Sequence, residues 1–282
     1  MNWRERLERA VVDKGSLLCV GLDTDMTRMP DDLKRGELPQ LEINRAIVEH
    51  TREYAVAYKP NMAFYEAEGT QGIKALEATV RMILNEAPEA TVIIDAKRGD
   101  IGNTSKAYAR AIFGRMGAHA VTLNPYMGKD VVEPFLEYDG SLVFLLCRTS
   151  NRSAGAVQDL EVRGDPFFLR MADLAVNWNE GDSIGLVVGA TSPGEMMSIR
   201  KRVGPDMPFL VPGIGAQGGD LRETLRSGTD RRGYGAVINS SRGIMFAFER
   251  SGGPRQLGPA AGAEAERLVS RMREELSSLG RW

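Results

Sequence analysis

The run TVIIDAKRGD at residues 91–100 is the most informative stretch of this 282-residue sequence. It opens with apolar and β-branched residues and turns abruptly to charge at Asp95. A short, almost continuous apolar run is typical of a strand buried on both faces, as in parallel sheets. In α/β folds, ligands bind beyond the carboxyl ends of such strands. The stretch therefore predicts a buried parallel strand whose carboxyl end carries chemistry.

Seven further runs share this character. They lie at 16–22, 54–60, 120–124, 141–147, 183–188, 208–212 and 235–240. Stretches with the apolar spacing of helices separate them, such as those that follow Gly72, Asn103 and Asp165. About eight strands in alternation with helices are what a closed barrel needs, whereas a doubly wound sheet usually has about five to seven strands. We therefore predict the α/β class and a (β/α)8 TIM barrel.

The chain carries no sign of a domain boundary. No long Pro/Ser linker, charge block or low-complexity tract interrupts it, so residues 1–282 are predicted to form a single catalytic domain. The most irregular stretches are 24–41 and 249–262. We expect the first to be a surface loop and the second to be a connection near the last helix.

Composition limits the partners. The 36 Lys and Arg residues nearly balance the 38 Asp and Glu residues, so no broad basic field favours nucleic acid or an anionic membrane. The first 15 residues are charged and amphipathic, and no segment approaches the length of an apolar membrane span. Cys19 and Cys147 lie in apolar runs and are predicted to be buried. Two such cysteines fit a reducing compartment, and we expect a cytoplasmic protein.

The end of the third strand is the sharpest functional signal. Asp95 and Lys97 are two residues apart, so on a regular strand both side chains would enter one pocket. Asp100 follows closely enough to add a second carboxylate. Lys59 lies in the apolar run YAVAYKP, where burial without a carboxylate partner would be costly. These residues predict an alternating Lys59–Asp95–Lys97–Asp100 array, although a salt bridge that merely caps the barrel rim is the alternative.

The last two strand ends have a different character. The glycine-rich run at 212–219 includes Gln217 and precedes a helix start, so its backbone N–H groups could turn toward an anion. Arg242 follows the eighth strand and could contact two phosphate oxygens at once. We expect a phosphate site here; the alternative is a flexible surface loop. His50 and His119 are read as structural residues, because no cluster of metal ligands surrounds them.

Six motifs at successive strand ends resemble, in order, those of the orotidine 5′-phosphate decarboxylase family. The resemblance covers nearly the whole chain. The motifs are Gly21-Leu22-Asp23, Lys59-Pro60-Asn61, Asp95-Ala96-Lys97-Arg98-Gly99-Asp100-Ile101 with Thr104, Thr149-Ser150-Asn151, Pro212-Gly213-Ile214-Gly215-Ala216-Gln217 and Ser241-Arg242-Gly243. The long segment from Asn151 to Asp165 resembles the bacterial subgroup with longer chains, and its conformation is open.

The resemblance implies a reaction and its machinery. The reaction would be cofactor-free and metal-free decarboxylation of orotidine 5′-monophosphate to uridine 5′-monophosphate. Lys97 would be the proton donor, Asp95 would lie beside the departing carboxylate, and Lys59 would contact the ribose. The remaining substrate-binding positions would be Asp23 for the ribose, Ser150 for the pyrimidine edge, Pro212, and Gln217 with Arg242 for the phosphate. A homodimer is also implied, in which Asp100, Ile101 and Thr104 reach into the neighbouring subunit's site.

Two other functions stay open. A magnesium-dependent sugar-phosphate decarboxylase or aldolase of the same barrel superfamily resembles the central motif. Those relatives tend to have an acidic residue on the second strand, and Lys59 argues against them. The other alternative is a catalytically silent barrel that binds a nucleotide phosphate.

Overall fold

A computed structural model describes residues 1–214 and 219–282. Eight parallel strands close into a barrel in the order β1-β2-β3-β4-β5-β8-β9-β10, with β10 pairing back to β1. Their bounds are β1 Leu18–Leu22, β2 Ala55–Pro60, β3 Thr91–Arg98, β4 Ala120–Leu123, β5 Leu142–Arg148, β8 Ile184–Val188, β9 Phe209–Pro212 and β10 Ala236–Ser240. Two short strands, β6 Glu161–Val162 and β7 Asp165–Pro166, form an antiparallel hairpin outside the barrel. The predicted (β/α)8 barrel is confirmed, and all eight predicted runs form its strands.

Helices surround the barrel. They are α1 Trp3–Lys14, α2 Pro39–Thr51, α3 Met62–Glu66, α4 Gly69–Glu86, α5 Gly102–Ala109, α6 Glu133–Leu136, α7 Gly155–Gln158, α8 Phe167–Trp178, α9 Pro193–Val203, α10 Leu221–Gly228, α11 Arg242–Met245 and α12 Leu257–Ser278. Within the described part of the chain, no helix combines the length and apolarity that a membrane crossing requires.

Local sequence explains several helix starts. Asn2 and Glu5 form a reciprocal capping box at α1, and the Asp220 side chain accepts from the Glu223 N–H at the start of α10. Ser192 precedes Pro193, the first residue of α9, where the missing N–H of proline costs nothing. These signals fix where α1, α9 and α10 begin.

The barrel strands are buried because both of their faces are covered. Every residue of β1, β2, β8 and β10 is buried, which explains the near-continuous apolar runs. Cys19 and Cys147 are both buried free thiols, as predicted. Burial raises the pKa of Cys19 to about 12 and also raises the pKa of Cys147. Both therefore serve as small core side chains without a reactive thiolate.

The prediction for 249–262 is wrong in its second half, because α12 already begins at Leu257. Gly258 and Gly262 weakened the helical signal there. Both glycines let α12 lie against α2: a Cβ at Gly258 would be 2.5 Å from His50 Nδ1, and one at Gly262 would be 2.8 Å from the His50 carbonyl oxygen. The expected loop at 24–41 likewise ends early, since α2 begins at Pro39. Tertiary packing overrides local propensity in α12, whereas α2 begins at a proline, a residue that local propensity favours at the first helical position.

Candidate active site

A buried ionic array spans the carboxyl ends of β2 and β3. Lys59 Nζ lies 2.7 Å from Asp95 Oδ2, and Lys97 Nζ lies 2.5 Å from Asp95 Oδ1. The Lys59 side chain is 4% exposed and that of Asp95 is 10% exposed, whereas the Lys97 side chain is 48% exposed. One carboxylate thus joins a buried ammonium to an accessible one. This is the carboxylate partner that the cost of burying Lys59 requires.

The array holds its central groups in their charged forms. Burial alone would raise the pKa of Asp95, but the positive charges of Lys59 and Lys97 outweigh burial and hold that pKa well below its usual range. Burial alone would lower the pKa of Lys59, but Asp95 and then Asp23 hold it above its usual value. Opposite charge at short range wins over desolvation at both groups. A fixed negative charge therefore lies between two ammonium groups.

The strand is irregular where Asp95 and Lys97 lie. β3 pairs with β4 at Ile94↔Val121 and again at Arg98↔Leu123, so four steps along β3 match two steps along β4. Lys97 has φ 48°, a left-handed conformation that is uncommon for a non-glycine residue. The expectation of regular strand alternation is therefore wrong here. Lys97 Nζ reaches Asp95 through a bulge and not through regular strand alternation. Bulges commonly redirect a side chain next to an active site.

A hydroxyl on β4 completes this arrangement. Thr122 Oγ1 donates to Asp95 Oδ1 at 2.8 Å and accepts from the Lys97 backbone N–H at 3.0 Å. Thr122 is 1% exposed. Sequence reasoning missed it, although a threonine inside the apolar run AVTLN was a signal that could have been followed.

Asp23 extends the array on the other side of Lys59. Its Oδ1 lies 3.8 Å from Lys59 Nζ. Among the described residues this buried oxygen has no hydrogen-bond partner, and neither has Asn239 Oδ1. Both side chains border one cavity at the carboxyl end of the barrel, and a buried polar atom without a partner is a candidate ligand contact. The cavity is lined by Asp23, Lys59, Asp95, Pro212, Gly213, Ile214, Asn239, Ser241 and Arg242.

One side of the cavity is formed by the ends of β9 and β10, where the sequence predicts a phosphate site. Pro212 ends β9, and the exposed side chain of Arg242 stands at the start of α11. Over 1–214 and 219–282, the Arg242 guanidinium forms no ion pair with a carboxylate. Its charge is available to an anion. Gln217 lies outside the described residues.

Asp100, Ile101 and Thr104 do not line this cavity. Asp100 is half-buried and its Oδ1 accepts from the Ile101 N–H at 2.8 Å. Ile101 is 57% exposed, and Thr104 is exposed on the first turns of α5. Within one chain, the described ion pairs of Lys97 do not include Asp100. The predicted four-member array is thus wrong for the isolated chain, because Lys97 Nζ pairs with Asp95 while Asp100 Oδ1 accepts from the adjacent Ile101 N–H.

Ser150 follows β5 and is half-buried. A Cβ at Gly189 would lie 3.0 Å from the Ser150 Cβ, so the two backbones approach closely. The flanking turn is fixed by Gln158 of α7, whose Oε1 accepts from the Thr149 N–H at 3.0 Å and whose Nε2 donates to Thr149 Oγ1 at 2.8 Å. The open segment from Asn151 to Asp165 therefore folds back onto the strand end through α7.

Arg148, the last residue of β5, also holds the segment from Asn151 to Asp165 in place. Its guanidinium donates to both carboxylate oxygens of Glu195 on α9, and its Nη1 lies 3.1 Å from Asp159 Oδ1. The side chain is only 10% exposed, so the two carboxylates offset its burial. Over the described residues, no group of three or more His, Cys, Asp or Glu side chains is placed to hold a metal ion.

Comparisons with known proteins identify relatives of this chain. Residues 16–251 match the family model described as "Orotidine 5'-phosphate decarboxylase / HUMPS family". The curated orotidine 5′-phosphate decarboxylase of Dehalococcoides mccartyi strain 195 is 47% identical over 271 residues, which cover 95% of this chain and 96% of that protein.

Solved structures from Leishmania donovani are also similar. Its OMP decarboxylase has a TM-score of 0.82 and 36% identity over 97% of this chain and 99% of its own. Its UMP synthase has a TM-score of 0.84 and 38% identity, and this chain spans 56% of its length. Matches over nearly the full chain, at this identity, leave one family: the chain belongs to the orotidine 5′-phosphate decarboxylase / HUMPS family.

Proposed function

We propose that this chain converts orotidine 5′-monophosphate to uridine 5′-monophosphate and carbon dioxide, the last step of de novo pyrimidine nucleotide synthesis. The main supporting observation is the Lys59–Asp95–Lys97 array: Lys59 and Asp95 line a cavity that Arg242 also lines, and Arg242 has no carboxylate partner among the described residues. The relatives that match over nearly the whole chain carry the name of this activity. One catalytic domain of residues 1–282 is proposed, since a single core cluster includes both Trp3 and Leu276.

Decarboxylation leaves negative charge on one ring carbon, so the site must place a positively charged group beside that carbon. The bond between the pyrimidine C6 and its carboxylate breaks, carbon dioxide leaves, and the electron pair stays on C6. The ammonium of Lys97 would stabilise that pair and deliver its proton to C6, and the neutral amine would then recover a proton from water. Lys97 suits this role because it is half exposed and is oriented by Asp95. Preorganised charge of this kind is usually the largest catalytic contribution.

Asp95 would lie beside the substrate carboxylate. Its low pKa keeps it ionised, so it would repel the carboxylate before the bond breaks and lose that repulsion as neutral carbon dioxide forms. Lys59 would contact the ribose and hold Asp95 in place. Asp23, whose Oδ1 has no hydrogen-bond partner in the described chain, would accept from a ribose hydroxyl.

The remaining contacts would position the substrate. Ser150 would bind the pyrimidine edge, Pro212 would border the ring, and Gln217 with Arg242 would hold the phosphate. The phosphate does not react, so its binding energy would serve to fix the ring beside Lys97. This proposal is supported by the position of Arg242 at the cavity's edge, where its guanidinium pairs with no carboxylate of the described residues.

A homodimer is proposed to complete the site. Asp100, Ile101 and Thr104 would enter the neighbouring subunit's cavity, which agrees with their position outside this chain's own cavity. Ile101 is 57% exposed, so its side chain is accessible to a neighbouring subunit. We further propose a cytoplasmic enzyme without a nucleic-acid or membrane partner, in line with its balanced charge.

One assay separates this function from its alternatives: loss of orotidylate absorbance by the purified protein, with and without a chelator. We expect conversion that the chelator leaves unchanged. Lys59 Nζ already lies 2.7 Å from Asp95 Oδ2, so an ammonium occupies one of the carboxylate oxygens that a magnesium ion would need. Activity abolished by the chelator would favour the sugar-phosphate alternative. Tight binding of uridine monophosphate with no conversion would select the catalytically silent barrel.

A further inference from the structure

We propose that Thr122 is a positioning residue for the decarboxylation, because its hydroxyl fixes the bulge that aims Lys97 at the reacting carbon. The proposal rests on the function proposed above. It concerns a side chain of β4 that lies behind the array and does not line the cavity. Thr122 therefore acts through Asp95 and Lys97 and not on the substrate.

The first support is the register of the two strands. Between the pairs Ile94↔Val121 and Arg98↔Leu123, β3 contains three residues and β4 contains only Thr122. Those three residues are Asp95, Ala96 and Lys97. The extra length of a bulge has no ladder partners of its own, so something else must fix its backbone. Thr122 is the residue directly opposite.

The second support is the direction of its hydrogen bonds. A threonine hydroxyl has one proton to donate and can also accept. Here the Thr122 hydroxyl oxygen accepts from the Lys97 N–H at 3.0 Å, and the hydroxyl donates its proton to Asp95 Oδ1 at 2.8 Å. Oδ1 is the same oxygen that binds Lys97 Nζ. One hydroxyl thus ties the backbone of Lys97 to the carboxylate that orients its side chain.

The third support is the backbone of the turn. Lys97 has φ 48°, a conformation that persists in a non-glycine residue only when its surroundings impose it. Asn124, the residue after β4, constrains the two residues that follow Lys97 at two further points. The Asn124 N–H donates to the Arg98 carbonyl oxygen at 2.8 Å, and a Cβ at Gly99 would lie 2.3 Å from the Asn124 carbonyl oxygen. Contacts with the end of β4 and with Asn124 thus fix the path of the turn. Thr122 is the only β4 residue whose side chain hydrogen-bonds to Lys97 among the described hydrogen bonds.

Loss of the hydroxyl should impair the reaction more than binding. Without it, the Lys97 N–H has no partner and Asp95 Oδ1 loses a donor, so the Lys97 ammonium is no longer held in one position. The proposed ribose and phosphate contacts of Asp23 and Arg242 lie on other strand ends and stay intact. A positioning role therefore predicts a fall in kcat with little change in KM.

The test compares Thr122→Val, which keeps the shape and removes the hydroxyl, with Thr122→Ser, which keeps the hydroxyl. The matched control is Thr91→Val on β3, because Thr91 is also buried and its Oγ1 has no partner among the described residues. Steady-state kinetics with orotidylate and thermal unfolding are measured for each variant. We expect Thr122→Val to lower kcat about 10- to 100-fold with KM changed less than about threefold.

Thr122→Ser should recover kcat to within about fivefold of the wild type, and Thr91→Val should stay within about twofold. Equal kcat in Thr122→Val and wild type, or equal losses in the Val and Ser variants, would overturn the proposal. If Thr122→Val does not fold, Thr122→Ala takes its place under the same criteria. A wild-type protein that does not decarboxylate orotidylate would instead refute the proposed function itself.

Discussion

Lys59 Nζ lies 2.7 Å from Asp95 Oδ2 across two neighbouring barrel strands, and both side chains are almost wholly buried. A buried ion pair is seldom a net gain in stability over apolar residues of similar volume. Its value here is electrostatic: the pKa of Asp95 is held down and that of Lys59 is held up, so both remain charged over the whole range near neutrality. The pair fixes a permanent negative charge beside Lys97.

Removal of Lys59 should therefore destabilise the fold. Lys59→Met leaves the buried Asp95 with one ammonium in place of two, and we expect the free energy of unfolding at pH 7 to fall by about 3 kcal/mol. Urea unfolding measures this. Lys74→Met, at an exposed position on α4, is the control and should change stability by less than about 0.5 kcal/mol. Equal stability of the two variants would show that the pair does not constrain the barrel.

His119 should make the fold sensitive to mild acid. Burial, and then the positive charge of Arg6, lower its pKa from 6.5 to about 4, and its Nδ1 accepts from the Val92 N–H at 3.0 Å. As the pH falls, His119 binds a proton near pH 6.5 in the unfolded chain but only near pH 4 in the folded chain. Its contribution is therefore complete above pH 6.5 and is lost as the pH falls through this window.

The slope from this one proton is at most about 1.4 kcal/mol per pH unit. His119→Asn keeps an acceptor for Val92 and removes the titration, so its free energy of unfolding should fall less steeply between pH 6.5 and 4 than that of the wild type. Urea titrations across this range measure the difference. Parallel curves for the two proteins would contradict the assignment.

The proposed dimer predicts complementation between two inactive variants. Lys97→Ala removes the proton donor, and Asp100→Asn removes the group proposed to enter the neighbouring site. A mixed dimer has one site with both substitutions and one with neither, so an equal mixture after subunit exchange should regain about a quarter of wild-type activity. If Asp100 acted within its own chain, each site would keep one defect and the mixture would stay as inactive as its parents.

Arg242 should matter only when the substrate carries a phosphate. We expect Arg242→Ala to lower kcat/KM for orotidylate about 100-fold, as loss of a charge-assisted contact would, and to leave that for the nucleoside orotidine nearly unchanged. Arg255→Ala, at an exposed position before α12, controls for general charge loss. Equal losses with both substrates would remove Arg242 from the phosphate site.

The barrel was predictable because parallel strands buried on both faces leave an unmistakable apolar signature, as at 183–188 and 208–212. The start of the last helix was not. Gly258 and Gly262 suggested a connection, yet they lie in α12 because they let it pack on His50. The contact with His50 is long-range, so the sequence near the two glycines does not reveal it.

The candidate site was predictable in part: several of the expected residues line one cavity, namely Asp23, Lys59, Asp95, Pro212 and Arg242. The cost of burying Lys59 pointed to a carboxylate on the next strand, and Asp95 lies there. The bulge at Lys97 and the part played by Thr122 depend on the register between β3 and β4, which the sequence of either strand alone does not contain.

The central claim is that the Lys97 ammonium drives loss of carbon dioxide from orotidylate. The most direct test is the rate of orotidylate absorbance loss by wild type and Lys97→Ala, with circular dichroism to show that both are folded. We predict turnover by the wild type and a rate at least about 1,000-fold lower for the variant, since both the stabilising charge and the proton are removed. A folded Lys97→Ala that retains turnover within about tenfold of wild type would contradict the account.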